Sequence, residues 1–274
     1  MKNLRVCVYG LGHLGQVTAA CLAELGIHVT CFGQFDYNVE ENNLRELVEK
    51  NDDRINFRAN VIDLPEIDYL WVTFDTPVEG EDKANADYVV EKIEELIQFI
   101  NYSVPIIISS QLPIGTIQRL EEKYREYTFA SVPENLRHGT AIQNFLNPDR
   151  IIIGTRFADN RKKYYPLLSK ISKKIVWVRT ESAEMIKHSI NAFLAMCITF
   201  ANEIGDLCKE KQIDYNEVLM GLQSEARIGE KLPLKTGKAY TGGTLARDIK
   251  YLINMTDSNF FKSIKKSNDK RLKK

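Results

Sequence analysis

The sequence lacks the features that a membrane-spanning, secreted or disulfide-linked protein requires. No apolar run approaches the roughly eighteen residues of a membrane span. The first residues, MKNLRVCVYG, enter a strand pattern directly, without the long apolar stretch and cleavage site of a secretory signal. The five cysteines form no close pair and lie mostly inside apolar runs. We therefore expect a cytoplasmic protein with reduced thiols, no disulfide framework and no metal.

An excess of charge of one sign is also missing, because 37 Lys and Arg balance 37 Asp and Glu. A field that would attract nucleic acid or a membrane surface to the whole molecule is therefore not expected. The exception is the end of the chain, KSIKKSNDKRLKK, with seven basic residues and one Asp. We expect residues 257–274 to be a disordered basic tail, and docking on an anionic partner is the alternative.

The first 180 of the 274 residues alternate short β-rich runs with helical segments. That alternation predicts a Rossmann-like parallel sheet of seven or eight strands with helices on both faces. The runs that we expect to be strands are LRVCVYG, IHVTCF, YLWVTF, PIIISS, TFASV, RIIIGT and KIVWV.

The composition changes after residue 180. The segment SAEMIKHSINAFLAMCITFANEIGDLCKEKQ has no Pro and only one Gly, which predicts one long helix. YNEVLMGLQSEA and GTLARDIKYLINMTD follow with helical periodicity. We expect an α/β fold in which a Rossmann-like domain, residues 1–180, precedes an all-α domain, residues 181–256.

A glycine turn follows the first strand. Gly10, Gly12 and Gly15 have the G-x-G-x-x-G spacing that lets a dinucleotide's diphosphate approach a helix N-terminus. A purely structural turn is the alternative, but the strand before it and the helix after it favour a cofactor. The acidic residue that binds the adenosine ribose is missing, since its position falls on Gly33, although Asp36 lies three residues on. No arginine follows to hold a 2′-phosphate, so NAD is favoured over NADP.

Five later segments carry motifs: DTPVEGEDKANADYV, VPENLRHGTAIQNFLNPDRIIIG, AEMIKHSINAFLAMCITFANEI, ARIG and TGGTLARD. Together they resemble the UDP-glucose/GDP-mannose (nucleotide-sugar) dehydrogenase family over residues 4–254. The resemblance implies that residues 1–180 are an NAD-binding domain and residues 181–256 a dimerisation and catalytic domain. The resemblance implies an NAD-dependent oxidoreductase acting on CH-OH groups of a sugar or nucleotide sugar, built as a homodimer through the long helix. We expect the family's C-terminal nucleotide-sugar-binding domain to be absent.

The resemblance also implies roles for individual residues. The implied catalytic residues are Lys187, Asn191, Asp248, Glu134 and Thr244. The implied cofactor-binding residues are Gly10, Gly12, His13, Leu14, Gly15, Thr76, Pro77 and Ser110. The implied substrate-binding residues are Asn135, Leu136, Arg227, Gly242 and Gly243. Glu134 matches the glutamate that orients water, and Arg227 matches an arginine that reaches a neighbouring subunit's substrate.

The chain departs from the family at two positions. Thr244 stands at the catalytic cysteine, and Gln111, in SQLPIGT, stands at a water-relaying threonine. Since an alcohol does not ionise near neutral pH as a thiol does, the covalent route of two successive oxidations is expected to be lost. We expect one two-electron step between alcohol and carbonyl. The alternative is a non-catalytic homologue that serves in NAD binding or assembly.

The spacing of Lys187 and Asn191 places them on one face of the long helix. An ammonium and an amide there can stabilise charge on one oxygen and move its proton. From the residues alone, a solvated lysine beside a packing asparagine is the alternative. His188 follows Lys187 onto another face, so we expect it, like His13, to be structural.

Overall fold

The computed structural model describes residues 3–36, 41–79, 83–134, 136–241 and 244–273. It divides into two compact units, one of residues 1–77 with 85–187 and one of residues 78–84 with 188–274. The sequence predicts a domain boundary at residue 180. These compact units divide between residues 187 and 188, inside the long helix, and residues 78–84 belong to the second unit.

The strands are short, as expected for a sheet buried on both faces. In chain order they are β1 (Arg5–Tyr9), β2 (His28–Phe32), β3 (Ile55–Arg58), β4 (Tyr69–Val72), β5 (Val78–Glu79), β6 (Lys83–Ala84), β7 (Pro105–Ile108), β8 (Thr128–Ser131), β9 (Ile151–Gly154) and β10 (Ile175–Val178). Eight of them form the sheet of the first unit in the order β10-β9-β8-β7-β4-β1-β2-β3, and β5 pairs with β6. The eighth strand, β3, matches none of the seven apolar runs because three of its four residues are exposed.

The sheet is parallel except at one junction. β9 pairs with β8 in the antiparallel sense, at Ser131 and Gly154. The connection between these strands holds only one short helix, at 141–146. Six helical residues extend about 9 Å, too little to return the chain along a neighbouring strand and start a parallel one. The expected fully parallel sheet is therefore mostly parallel.

Ten α-helices complete the described chain. They are α1 (His13–Glu24), α2 (Leu44–Lys50), α3 (Ala86–Ile97), α4 (Thr116–Lys123), α5 (Ala141–Leu146), α6 (Arg161–Ile171), α7 (Thr180–Lys211), α8 (Tyr215–Ser224), α9 (Leu245–Met255) and α10 (Asn259–Leu272). Side chains of β1 alternate between two apolar clusters, with Val6 and Val8 in one and Cys7 and Tyr9 in the other. Helices therefore cover both faces of the sheet, and the predicted α/β class with a long helix after the sheet is confirmed.

The second unit packs helix against helix. Its larger core joins Ala192 and Ala195 of α7 to Ile249 of α9 and Ile264 of α10. The tail that the composition predicts to be disordered is thus a helix over most of its length. Apolar residues inside the basic segment explain the difference, because Phe261 and Ile264 give α10 a face to bury.

No helix among the described residues is long and apolar enough to cross a bilayer. All five cysteines are free thiols with buried side chains.

Candidate functional site

The glycine turn at the carboxyl end of β1 is built by steric necessity. Gly10 has φ +108°, and a Cβ there would overlap the backbone of Phe74. A Cβ on Gly15 would overlap the carbonyl oxygen of Gly10, so this glycine lets α1 pack against the turn. Helix α1 begins at His13, directly after Gly12. The turn therefore has the strand, glycine and helix arrangement of a dinucleotide site.

Gly12 has no side chain, so another group can approach the start of α1 closely. A Cβ on Gly12 would overlap the carboxylate of Asp75, which reaches the turn from the loop after the neighbouring strand β4. The first turn of α1 has no acidic residue and no side-chain cap. Because amide groups at a helix start favour negative charge, the residues present fit a diphosphate held by Gly10, Gly12 and the first turn of α1.

His13, at the start of α1, is fixed by a buried carboxylate. Its Nε2 lies 3.0 Å from Oε2 of Glu41. The same carboxylate accepts hydrogen bonds from the backbone amides of Gly139 and Ala141, each at 2.9 Å. The ring of His13 also stacks on that of His138, with centroids 4.1 Å apart. These contacts tie the turn to the start of α5 and agree with a structural rather than proton-transferring His13.

A small polar cavity lies beside β7 and β8 in the first unit. Ser110, Ser131, Glu134 and Lys187 line it together with Glu184, and its volume is about 20 Å³. Such a volume holds about one water molecule. The buried hydroxyl of Ser110 has no hydrogen-bond partner among the described residues. Glu134 and Lys187, two of the expected catalytic residues, therefore share a pocket that contains an unsatisfied hydroxyl.

The edges of that cavity are held by backbone contacts. Thr76 is buried and its Oγ1 donates to the carbonyl oxygen of Gln111 at 2.6 Å. Glu184 accepts hydrogen bonds from the backbone amides of Gly115 and Ile117, at 2.7 and 3.2 Å. The first turn of α4 is thereby capped by a carboxylate from α7.

The second unit holds Asn191 and Asp248 in one buried network. Asn191 Nδ2 donates to Oδ2 of Asp248 at 2.5 Å, and His188 Nδ1 lies 3.1 Å from Oδ1. Arg247 Nε is 3.7 Å from Oδ1. Burial alone raises the pKa of Asp248, but the hydrogen bonds and charges of His188, Asn191 and Arg247 leave it below its ordinary value. Asp248 is therefore an anion that anchors two consecutive turns of α7.

Thr244 and Arg227 are less constrained. Thr244 is exposed at the residue before α9, where its carbonyl oxygen accepts from Asp248 N but its hydroxyl makes no capping bond. Arg227 is exposed and pairs with Glu225 at 2.9 Å. Leu14, Pro77 and Leu136 are half-buried. Asn135, Gly242 and Gly243, expected to bind substrate, lie outside the described residues.

The sequence does not predict two contacts of this geometry. His188, which we expect to be structural and on another face than Lys187, bonds to the same carboxylate as Asn191. The sequence could have indicated this contact, because residues 188 and 191 are three apart and are therefore neighbours on a helix. The sequence does not predict that Asp75 lies at the glycine turn, because only the pairing of β1 with β4 brings it there. Among the described residues, no cluster of three potential ligands could hold a metal.

The fold and the glycine turn define the class of protein. A mostly parallel sheet with a glycine turn between its first strand and first helix is a dinucleotide-binding fold. The NAD-binding domain model of the UDP-glucose/GDP-mannose dehydrogenase family matches residues 4–175, and the central domain model of that family matches residues 181–270. The chain belongs to this family, as its motifs indicate, and its NAD-binding domain identifies the cofactor as NAD.

Individual relatives agree with that assignment. The chain is 30% identical over 291 residues to UDP-glucose 6-dehydrogenase YwqF of Bacillus subtilis, covering 97% of this chain and 66% of the relative. It is 28% identical over 286 residues to UDP-glucose 6-dehydrogenase of Pseudomonas aeruginosa, covering 95% of this chain and 63% of the relative. The chain thus spans slightly less than two thirds of the length of these relatives.

Solved structures share the fold. A UDP-glucose dehydrogenase from Pyrobaculum islandicum superposes with a TM-score of 0.86 at 24% identity, covering 98% of this chain and 68% of that one. A 3-hydroxyisobutyrate dehydrogenase from Mycobacterium tuberculosis gives 0.72 at 13% identity, covering 98% and 94%. The second likeness indicates that this arrangement of sheet and helices also occurs in a chain of similar length.

Proposed function

We propose that this protein is an NAD-dependent oxidoreductase that carries out one two-electron step between an alcohol and a carbonyl. The observation that carries the proposal is the joint retention of Lys187 in the polar cavity and Asn191 in the Asp248 network. Both side chains project from α7 four residues apart, so helical periodicity favours one shared face. NAD supplies the hydride acceptor when it is bound.

The expected roles follow from the chemistry of the two side chains. Lys187 would take the proton from the substrate hydroxyl group, and NAD, when bound, would supply the acceptor for the two electrons of the C–H bond. The amide of Asn191, held by Asp248, donates a hydrogen bond to the same oxygen and stabilises its negative charge. Glu134 lies in the cavity with Lys187 and is proposed to orient water there.

A covalent intermediate is not part of this proposal. Thr244 carries a hydroxyl at the family's cysteine position, and the five cysteines of the chain are all buried. Burial also raises the pKa of Cys197, a cysteine of the second unit, which makes its thiolate scarcer. The reaction should therefore stop after one hydride transfer, with one NAD reduced per substrate.

The substrate class is proposed from the relatives, whose names specify UDP-glucose. We propose that the substrate is a sugar or nucleotide sugar. The residues proposed to bind it are Arg227, Leu136, Asn135, Gly242 and Gly243. Reduced, buried thiols are consistent with the proposed cytoplasmic location.

We further propose a homodimer formed through α7. Phe193, Phe200 and Leu207 recur every seven residues on this helix, and each is close to half exposed. A seven-residue repeat keeps apolar side chains near one face of a helix. A second copy of the chain would bury that stripe.

Turnover with UDP-glucose and NAD tests the activity. Wild type should form one NADH per substrate, and Thr244→Ala should retain nearly the full rate. Lys187→Ala should lower kcat by about two to four orders of magnitude. Two NADH per substrate, or a substrate adduct in the intact-protein mass, would contradict the single-step proposal. Binding of NAD without turnover of any nucleotide sugar would favour the non-catalytic alternative.

A further inference from the structure

Asp75 is the acidic residue that stands over the glycine turn. It follows β4, whose residues pair with β1 up to Tyr9 and Val72, so the loops after the two strands lie side by side. Its carboxylate fills the space that a Cβ on Gly12 would need. The residue is exposed to solvent, so the carboxylate can rotate away without breaking the core.

The carboxylate of Asp75 and a bound cofactor therefore compete for the space next to Gly12. The first turn of α1 has neither an acidic residue nor a side-chain cap of its own, so its backbone amides are open to an anion from elsewhere. In a G-x-G-x-x-G turn that anion is the cofactor's diphosphate, which approaches over the second glycine. Here the second glycine is Gly12, the residue against which Asp75 lies.

We propose that Asp75 is an internal competitor of the cofactor, which occupies the diphosphate position in the free protein and lowers the affinity for NAD. This inference rests on the proposed use of NAD. Binding has to displace the carboxylate from the helix start and leaves its charge near the diphosphate. Both effects weaken binding, and the charge repulsion is screened by salt.

The isosteric variant Asp75→Asn removes the charge and retains the shape. We expect calorimetric titration with NAD at low ionic strength to give a dissociation constant about tenfold lower for Asp75→Asn than for wild type, as expected for relief of a near contact between like charges. The difference should shrink as salt is raised toward 0.5 M, and Asp75→Glu should bind NAD more like wild type.

A matched control is Asp159→Asn, an exposed acid in the same unit that follows β9. β9 is four strands from β1 in the sheet, roughly 19 Å away, so this variant should bind NAD as wild type does. Equal or weaker NAD binding by Asp75→Asn, or an equal gain in Asp159→Asn, would overturn the proposal.

A measurement without the cofactor separates this inference from the proposed activity. Inorganic pyrophosphate should raise the Tm of Asp75→Asn more than that of wild type, because no negative charge next to the turn then repels it. In the absence of any anion, Asp75→Asn should have a slightly lower Tm than wild type, since a carboxylate near the start of a helix is favoured by the helix dipole. No difference in pyrophosphate response would count against the competitor role, whereas absence of sugar oxidation would count only against the proposed function.

Discussion

The three glycines of the turn differ in which atoms a side chain would contact. We therefore expect substitutions at different glycines to affect either folding or cofactor binding. A Cβ on Gly12 would meet the mobile end of Asp75, whereas a Cβ on Gly15 would meet the backbone of Gly10. We expect Gly12→Ala to fold with a Tm near that of wild type but to bind NAD more weakly. Gly15→Ala should lose about 1–3 kcal/mol of stability, because backbone must move. Thermal unfolding and calorimetric titration of both variants test this, and normal stability in Gly15→Ala would contradict it.

Asp248 links the charge of one residue to the stability of the second unit. Its side chain is fully buried and its pKa lies below the ordinary value of 3.8. A carboxylate with a depressed pKa stabilises the folded state above the unfolded pKa, and this contribution is lost as pH falls through the folded value. We expect Asp248→Asn to cost about 1–3 kcal/mol at pH 7 and less below about pH 4. Urea unfolding at both pH values measures the difference, and a pH-independent cost would refute the linkage.

At the residue scale, the sequence motifs predict which residues belong to the site better than they predict which side chains contact each other. The helical period pairs Lys187 with Asn191, but which side chain anchors Asn191 depends on how α9 packs on α7, and this brings Asp248 and His188 together. The ring of Tyr251, also on α9, stacks on His188 with centroids 4.3 Å apart. Such a network depends on tertiary packing, which spacing along one helix does not contain.

Helix α4 carries a carboxylate whose titration should affect stability near neutral pH. Glu121 has a side chain only 9% exposed, and Arg156 lies 3.6 Å away. Burial raises the pKa of Glu121 from 4.5 to about 7, with Arg156 opposing the shift and Glu181 and Glu184 adding to it. A folded pKa above the unfolded one means that stability falls as pH rises from about 4.5 to about 7.

The neutral variant Glu121→Gln removes this pH dependence. We expect its Tm, relative to that of wild type, to be higher at pH 8 than at pH 5, because only the wild type must ionise a buried carboxyl group. Glu122→Gln is the matched control, since Glu122 is exposed and lies 3.9 Å from the same Arg156. The same pH response in both variants would show that the effect does not come from burial of Glu121.

Helix α10 is expected to contribute to stability through one buried amide. Asn268 Oδ1 accepts from the backbone amide of Tyr240 at 3.0 Å, and its Nδ2 donates to the carbonyl oxygen of Tyr240 at 2.9 Å. Asn268→Ala leaves both backbone groups without these partners, so we expect a loss of roughly 2–4 kcal/mol. Lys266→Ala, on the same helix, should change stability little. Chemical unfolding followed by circular dichroism tests both, and equal effects would show that α10 is not anchored by Asn268.

The elements were predictable where the pattern is long and apolar. The sequence pattern alone predicts the strands that are buried on both faces. It also predicts the 32-residue helix α7. β3 and α10 were missed because their identity depends on neighbours: β3 completes an edge beside β2, and α10 buries a few apolar residues among many lysines. The antiparallel pairing of β9 with β8 depends on the length of α5, and the sequence pattern does not define where this short helix begins and ends.

At the scale of the whole molecule, α7 exposes a stripe of large apolar side chains. The helix is about 48 Å long, and Phe193, Phe200 and Leu207 are 48%, 46% and 48% exposed. Three large side chains on one face, spaced by seven residues, favour a partner helix over solvent. The family membership and this stripe lead to the same expectation, a homodimer centred on α7.

Phe200→Glu places a charge in the middle of the stripe and tests this assembly. We expect wild type to sediment as a dimer at micromolar concentration and Phe200→Glu to sediment as a monomer, because an unpaired carboxylate inside an apolar interface costs several kcal/mol. Phe260→Glu is the matched control, since Phe260 is 53% exposed on α10 and lies outside the stripe. It should remain dimeric with the same circular dichroism spectrum. A monomeric wild type, or a Phe200→Glu variant that stays dimeric, would show that α7 does not form the interface.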